Sequence, residues 1–296
     1  MKFIVTGGRG FIGSHFVEEV LNRGDIVIDI DKMGYASHKI LPWDNHPNYT
    51  FIKADISEIQ HLPSCDILIN FAAESHVDNS IKIPDVFVKS NVLGVHNLLE
   101  LIRNKPSYDR PLFFHISTDE VYGDKENGKF TETDKLTPSN PYSATKAAAE
   151  MIVLSYARTY GIEYVITRSG NNYGERQFEE KLIPKCLLSI NNNKPIPIHG
   201  DGSYIRDWIY VKDNVDGILA LIDKNVKNDT YNIASENYLT NLEVANTVIK
   251  WMGRGKVQFV ENRSGQDVRY AASADKLRNI GWIPKYTNGL YKWKQF

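Results

Sequence analysis

The chain has 296 residues, 42% hydrophobic and 24% charged, with a net charge of −1; this is ample for a full core in one large domain or two closely associated ones. Near-neutral charge argues against a nucleic-acid partner, and no stretch approaches the roughly 20 apolar residues of a membrane span. The short apolar run of "MKFIVTGGRG" is no signal peptide, and Cys65 and Cys186 match no metal spacing, so a cytoplasmic protein without a metal is expected.

In chain order, short β-branched apolar runs fall at 3–7, 26–31, 51–56, 66–73, 112–117 and 164–169. Several are apolar on both faces, as buried parallel strands are. Helical patterns at 12–23, 84–104 and 142–160 separate them. The alternation predicts an α/β fold with a doubly wound parallel sheet. After residue 170 the rhythm breaks. "NNNKPIPIHGDGSYIRDWIYV" reads as loop and short strand, "DNVDGILALIDK" and "NLEVANTVIKWMG" as helices, and "VQFVENR" as a strand. The expected organisation is a dinucleotide-binding domain over 1–170 and a smaller substrate-binding lobe over 171–296, interleaved with the first.

The stretch "TGGRGFIG" follows the first strand and opens the first helix, with Gly7, Gly10 and Gly13 in the pattern G-x-x-G-x-x-G. The first glycine permits a tight turn, the second lets a pyrophosphate approach the backbone, and the third lets the helix pack close to the strand. The helix N-terminus then offers N–H groups and positive dipole to phosphates. Asp31 ends the second strand, where an acid accepts from a ribose 2′-OH and repels a 2′-phosphate, so NAD is the expected cofactor. Asp55 ends the third strand and could reach the adenine ring or cap the next helix.

"PYSATKAAAE" puts Tyr142 and Lys146 four residues apart, on one helix face. A free tyrosine, with pKa near ~10, is a poor base at neutral pH, and a nearby ammonium lowers that value. Such a pair takes a proton from a sugar hydroxyl while hydride leaves the carbon. The same helix has two apolar stripes, Ala147, Met151 and Ile152 on one, Ala149, Val153 and Ala157 on the other. Both are then buried, within the chain or in a dimer seam. Upstream, "HISTDEVYGD" sets Thr118, Asp119 and Glu120 directly after the buried run "LFFHIS". Two adjacent acids there are either a solvated turn or an acid and a base with separate tasks.

These motifs, with "NFAAESHVDNSI", "NNYG", "EKLIP" and "TYNIASEN", resemble the extended short-chain dehydrogenase/reductases that act on nucleotide sugars, and among them the dTDP-glucose 4,6-dehydratases. The resemblance covers nearly the whole chain. It implies a homodimer that keeps NAD tightly bound and a three-stage reaction. Tyr142 takes the C4 hydroxyl proton as hydride passes to NAD, with Lys146 lowering the tyrosine's pKa and Thr118 bonding the C4 oxygen. Glu120 removes the C5 proton and Asp119 protonates the departing C6 hydroxyl. Hydride then returns to C6 and a proton to C5, giving a 4-keto-6-deoxy sugar. Elimination of a poor leaving group needs both an acid and a base, so the two carboxyl pKa values are expected to be pushed apart.

The resemblance also implies a cofactor site of Phe11, Ile12, Lys32, Asp55, Ile56, Phe71, Ala72, Ala73, Ser90 and Asn172, besides the glycines, Asp31, Tyr142 and Lys146. It implies a substrate site of Ser75, Thr118, Asn171, Lys181, Leu182, Pro197, His199, Arg206, Asn241 and Arg263, in which the planar arginine forks suit phosphate oxygens. Glu74 and His76 are read as braces of their loop. The relatives usually carry a tyrosine where this chain has His199; histidine there, with "VENR", resembles the UDP-glucose enzymes. The substrate is therefore dTDP-glucose or UDP-glucose. The rival readings are a 4-epimerase, which has no use for the two acids, a UDP-uronic acid decarboxylase, and a non-catalytic NAD-binding protein.

Overall fold

A computed structural model describes residues 1–262 and 267–293. Its strands are β1 (Lys2–Thr6), β2 (Ile26–Asp31), β3 (Tyr49–Lys53), β4 (Ile67–Asn70), β5 (Leu112–Thr118), β6 (Tyr164–Ser169), β7 (Asn171–Tyr173), β8 (Ile196–His199), β9 (Ile205–Tyr210), β10 (Asp229–Ile233), β11 (Tyr238–Thr240) and β12 (Val257–Val260). Its α-helices are α1 (Phe11–Asn22), α2 (Val77–Lys82), α3 (Pro84–Phe87), α4 (Gly94–Arg103), α5 (Pro141–Tyr160), α6 (Leu182–Asn191), α7 (Val211–Asp223), α8 (Asn241–Met252) and α9 (Asp275–Arg278).

Seven strands form one parallel sheet in the order β10-β6-β5-β4-β1-β2-β3. Side chains alternate across it, as the strand period of two requires. Phe3 and Val5 enter a core with Phe16, Val17 and Val20 of α1 and Ile218 and Leu219 of α7. Ile4, between them, enters the opposite core with Val95, Leu98 and Leu99 of α4 and Ala149 and Val153 of α5. Each buried Val, Leu, Ile or Phe among them, taken out of water, stabilises the fold by about 1.5–3 kcal/mol. Among the described residues no helix is long and apolar enough to cross a membrane.

The sheet explains where two strand expectations overran. β3 stops at Lys53 and β4 at Asn70 because their ladders end there, Asp31 opposite Lys53 and Thr6 opposite Asn70. Beyond those pairs the neighbouring chains turn away, and 54–56 and 71–73 leave the sheet as loop. The single helix expected over 84–104 is broken: α3 and α4 are joined by a π-helical stretch, Val88–Leu93. This wider turn buries Ser90 and Asn91. Asn91 holds the Glu74 backbone through both its amide and carbonyl and donates to Thr145 Oγ1 at 3.0 Å.

Beyond residue 170 the chain twice returns to the large sheet. Asp229–Ile233, which no apolar run marks, becomes its edge strand beside β6, and α7 packs against α1. The remainder builds two small sheets, β11-β9-β7 and β12-β8. Their core joins Tyr173, Ile183, Cys186, Ile196, Trp208, Tyr210, Val244 and Trp293.

Candidate active site

Strand order reverses direction between β1 and β4, so the chains leaving their carboxyl ends part and open a crevice. A cavity of about 350 Å³ lies there, bounded by the loops after β1, β2, β3, β4 and β5, by α5, and by 169–182. Gly7 has φ of 73°, and a Cβ on it would sit 2.7 Å from the Ala72 amide. A Cβ on Gly13 would run into the Gly7 carbonyl. Gly10 has no such obstruction within its wall of the cavity beyond Gly7 O at 3.2 Å, and no side chain caps α1. The loop is thus a bare backbone cradle at a helix N-terminus.

Asp31 is buried and accepts from the Met33 amide at 2.7 Å, Ser37 Oγ at 2.9 Å and the Arg9 amide at 3.2 Å. The Arg9 guanidinium is engaged on the protein: it donates to the His38 and Lys39 carbonyls, pairs with Asp44 and lies over Phe51. Lys32 pairs with Glu74 at 2.6 Å. Asp55 accepts from the Ser57 amide and hydroxyl; burial pushes its carboxyl up, but these bonds and the Lys32 and Lys89 charges outweigh it. Beneath the glycine loop, Asp29 accepts from the Gly8 amide and Tyr49, and burial raises its carboxyl to about 7.

β5 is buried along its whole length and ends at Thr118. A 3-10 turn, Asp119–Tyr122, follows, capped by Thr118 Oγ1, which accepts from the Glu120 amide. This sends the two acids in different directions. Glu120 lines the cavity with Thr118, Tyr142 and Lys146; Asp119 turns inward, 3% exposed. Thr118 donates to one Asp119 carboxyl oxygen at 3.3 Å, and the other, Oδ2, has no hydrogen-bond partner. Burial holds Asp119 well above the usual carboxylate range, with the Glu120 and Asp207 charges adding to it.

α5 begins with a capping box, Asn140 and Ser143, and Pro141 in its first turn. This fixes the helix start, and with it Tyr142, at the mouth of β5. Tyr142 lines the cavity with Thr118, and its phenol is raised by burial and by Glu120. Lys146 donates to the Ile116 carbonyl at 2.6 Å; burial lowers its ammonium to about 8, against the opposing pull of Glu150. His115, fully buried beside that ammonium, is kept neutral by burial and by the Lys146 charge.

Of the residues read from sequence, Gly7, Gly10, Phe11, Ile12, Gly13, Asp31, Lys32, Asp55, Ile56, Phe71, Ala72, Ala73, Ser75, Ser90, Thr118, Glu120, Tyr142, Lys146, Asn171, Asn172, Lys181 and Leu182 line this one cavity. Asp119, Pro197, His199, Arg206 and Asn241 are not in its wall. Arg206 is buried, donating to the Ile205, Asp267 and Val268 carbonyls and stacked on Tyr270. His199 ends β8 and donates through Nδ1 to the Glu261 carbonyl at 2.9 Å. Arg263 lies outside the described residues. Glu74 lines the cavity, and His76 caps α2 without a side-chain bond. Sequence reasoning missed Tyr35, Ser37, Gln177, Phe178, Glu180 and Trp208, which also line it. "RDWIYV" contained the tryptophan and "EKLIP" contained Glu180, but nothing local marks the others.

Ser117 Oγ, Asn172 Oδ1 and Gln177 Oε1 belong to this lining and are buried without partners. A polar ligand in the cavity satisfies such atoms. Together with the bare glycine cradle and an acid at the end of β2, they fit a dinucleotide.

The fold and site define an enzyme of the extended short-chain dehydrogenase/reductase class that works with a dinucleotide. The model of the GDP-mannose 4,6-dehydratase family matches residues 4–289, and the chain belongs to that family. It is 42% identical to the low-salt glycan biosynthesis protein Agl12 of Haloferax volcanii, over 97% of this chain and 94% of that one. It is 40% identical to the dTDP-glucose 4,6-dehydratase of Neisseria gonorrhoeae, over 100% and 95%. Among solved structures, the dTDP-glucose 4,6-dehydratase DesIV of Streptomyces venezuelae, with NAD and TYD bound, superposes with a TM-score of 0.92. That pair is 36% identical, over 97% of this chain and 92% of that one. UDP-sugar 4-epimerases share the fold as well, so the fold alone does not choose between elimination and epimerisation.

Proposed function

We propose that this protein is a dTDP-glucose 4,6-dehydratase, forming the 4-keto-6-deoxy sugar nucleotide. The observation that carries the reading is the divergent environment of two adjacent acids beside Tyr142 and Lys146. Bound NAD supplies hydride acceptance at the sugar's C4 and hydride return to C6, held by Gly7, Gly10, Gly13, Asp31 and the loop 71–73. Thr118 and Tyr142, both in the cavity wall, meet the C4 hydroxyl, whose proton Tyr142 takes. Lys146, a buried cation at neutral pH, is assigned the task of easing Tyr142 ionisation against the burial and Glu120 charge that hold the phenol protonated. Glu120, facing the cavity, takes the C5 proton made acidic by the C4 ketone, and a proton goes back to C5 when hydride returns to C6. Asp119, protonated but turned away from the cavity here, gives its proton to the departing C6 hydroxyl once its carboxyl swings toward the bound sugar. A 4-epimerase has no task for this second pair.

The thymidine nucleotide is favoured by the two dTDP-glucose 4,6-dehydratases of similar sequence and fold. UDP-glucose is the second reading, favoured by the resemblance of His199 and "VENR" to the UDP-glucose enzymes. Purified protein is given dTDP-glucose or UDP-glucose and followed by mass spectrometry. Loss of one water from dTDP-glucose at a higher kcat/KM supports the first reading; preference for UDP-glucose supports the second; a product of unchanged mass would refute both. We also infer a cytoplasmic homodimer. The apolar side chains of Ile83, just before α3, Val86 on α3, and Val88 and Leu93 on the π-helical stretch are exposed, as is Met151 on α5, which packs against α3 and that stretch. A second copy of the chain suits this layer.

A further inference from the structure

The loop after β2 and the segment between β7 and α6 come from opposite halves of the sheet. Between β2 and β6 stand three strands, β1, β4 and β5. At a spacing of about 4.8 Å, the four gaps separate β2 from β6 by roughly 19 Å. Yet the two segments touch. Tyr35 donates to the Glu180 carboxylate, at 3.0 and 3.1 Å to its two oxygens, and its ring meets Phe178 edge-on at 5.3 Å between centroids. His38 Nε2–H donates to the Arg176 carbonyl at 2.9 Å. Asn79 of α2 donates to the Tyr35 hydroxyl from a third side, at 3.3 Å. This contact passes over the carboxyl ends of β1 and β4, where the glycine cradle lies, and Tyr35, Phe178 and Glu180 all line the cavity.

We propose that Tyr35, with Glu180 and Phe178, is a latch across the dinucleotide cleft that gates the release of NAD. The chemistry gives such a latch a purpose. Hydride removed from C4 is returned to C6 of the same sugar, so the reduced cofactor must stay through an intervening loss of water. A cofactor that left in mid-cycle would strand the keto sugar. The latch is built to open: Tyr35 is 54% exposed, held by a few polar bonds and one ring edge rather than by core packing. Burial and the Glu180 charge raise its phenol to about 12, so it stays a donor throughout the neutral range.

The test is cofactor exchange in the holoprotein without any sugar. Protein loaded with isotopically labelled NAD is mixed with excess unlabelled NAD, and the label remaining bound is followed in time. Tyr35→Phe keeps the ring on Phe178 and removes the hydroxyl; loss of hydrogen bonds to a charged group predicts about tenfold faster release. Tyr35→Ala removes both contacts and releases faster still. Tyr108→Phe, at an exposed position outside the cavity wall, exchanges at the parent's rate. During turnover of Tyr35→Phe, NADH escapes to an external NADH-consuming enzyme, which the parent does not feed. Label release from Tyr35→Phe and Tyr35→Ala within twofold of the parent's overturns the latch.

Discussion

Glu120→Gln separates the two halves of the proposed reaction. Glu120 accepts from Asn140 Nδ2 and from Tyr270, each at 3.5 Å. A glutamine oxygen can take the same bonds, so the site keeps its shape and loses only a base and a charge. The lost base should slow C5 deprotonation by about 10²–10⁴-fold, which is roughly 2.7–5.5 kcal/mol of barrier at about 1.36 kcal/mol per decade. The lost charge acts oppositely on the first step. Glu120 raises the Tyr142 phenol, so removing its charge makes Tyr142 the easier to ionise, and C4 oxidation should be no slower than in the parent. Glu120 also raises Asp119, but burial is the larger cause there, so the acid keeps its proton. The assay is rapid mixing with dTDP-glucose under NADH absorbance, with quenched samples weighed for lost water. The expected trace is a fast rise in NADH that then stands, with dehydration lagging far behind. Water loss at the parent's rate would remove Glu120 from the base role. Slow NADH formation would show that the carboxylate serves the oxidation instead.

Other perturbations test other links. Tyr142→Phe should slow C4 oxidation at least a hundredfold in single-turnover measurements; Lys146→Met should slow it at least tenfold and move the limb reporting phenol ionisation to higher pH. Unaltered oxidation in either variant would contradict the assignment. Asp29 has a folded pKa of about 7 against an ordinary 3.8. Between these values the unfolded chain binds fewer protons, so this group's contribution to stability falls as pH rises from about 4 to about 7, by at most about 4 kcal/mol. Asp29→Asn should therefore flatten the decline in Tm between pH 5 and pH 8, and parallel Tm curves for variant and parent would refute that account. Leu93→Asp places a charge on the exposed apolar layer and should convert a dimer to monomer in sedimentation; an unchanged sedimentation coefficient would place the interface elsewhere.

Much of the cofactor side was legible in the sequence because its determinants are local. Gly7, Gly10 and Gly13 act within one strand–turn–helix unit, and their spacing alone states the turn. Asp31 needs only to be the last residue of a strand whose apolar run is plain. Tyr142 and Lys146 share a helix face whatever the helix packs against. The order of Thr118, Asp119 and Glu120 at the end of β5 is likewise a matter of chain position. What the chain order left open is which acid would face the cavity. That depends on the 3-10 turn after β5 and on Asp207 and Arg206, which arrive from β9 and enter the surroundings of Asp119.

The strand–helix alternation, the glycine turn and the placing of Tyr142 and Lys146 on one helix face can be read from the chain alone, since each is written in periodicity or spacing within one element. Only the tertiary structure decided that Asp229–Ile233 completes the large sheet, that 88–93 widens into a π-helical turn, and that Tyr35 meets Glu180, 145 residues away. Those outcomes are set by contacts between segments far apart in the chain. Local periodicity tells a strand from a helix; it carries no record of which loop will come to rest on which.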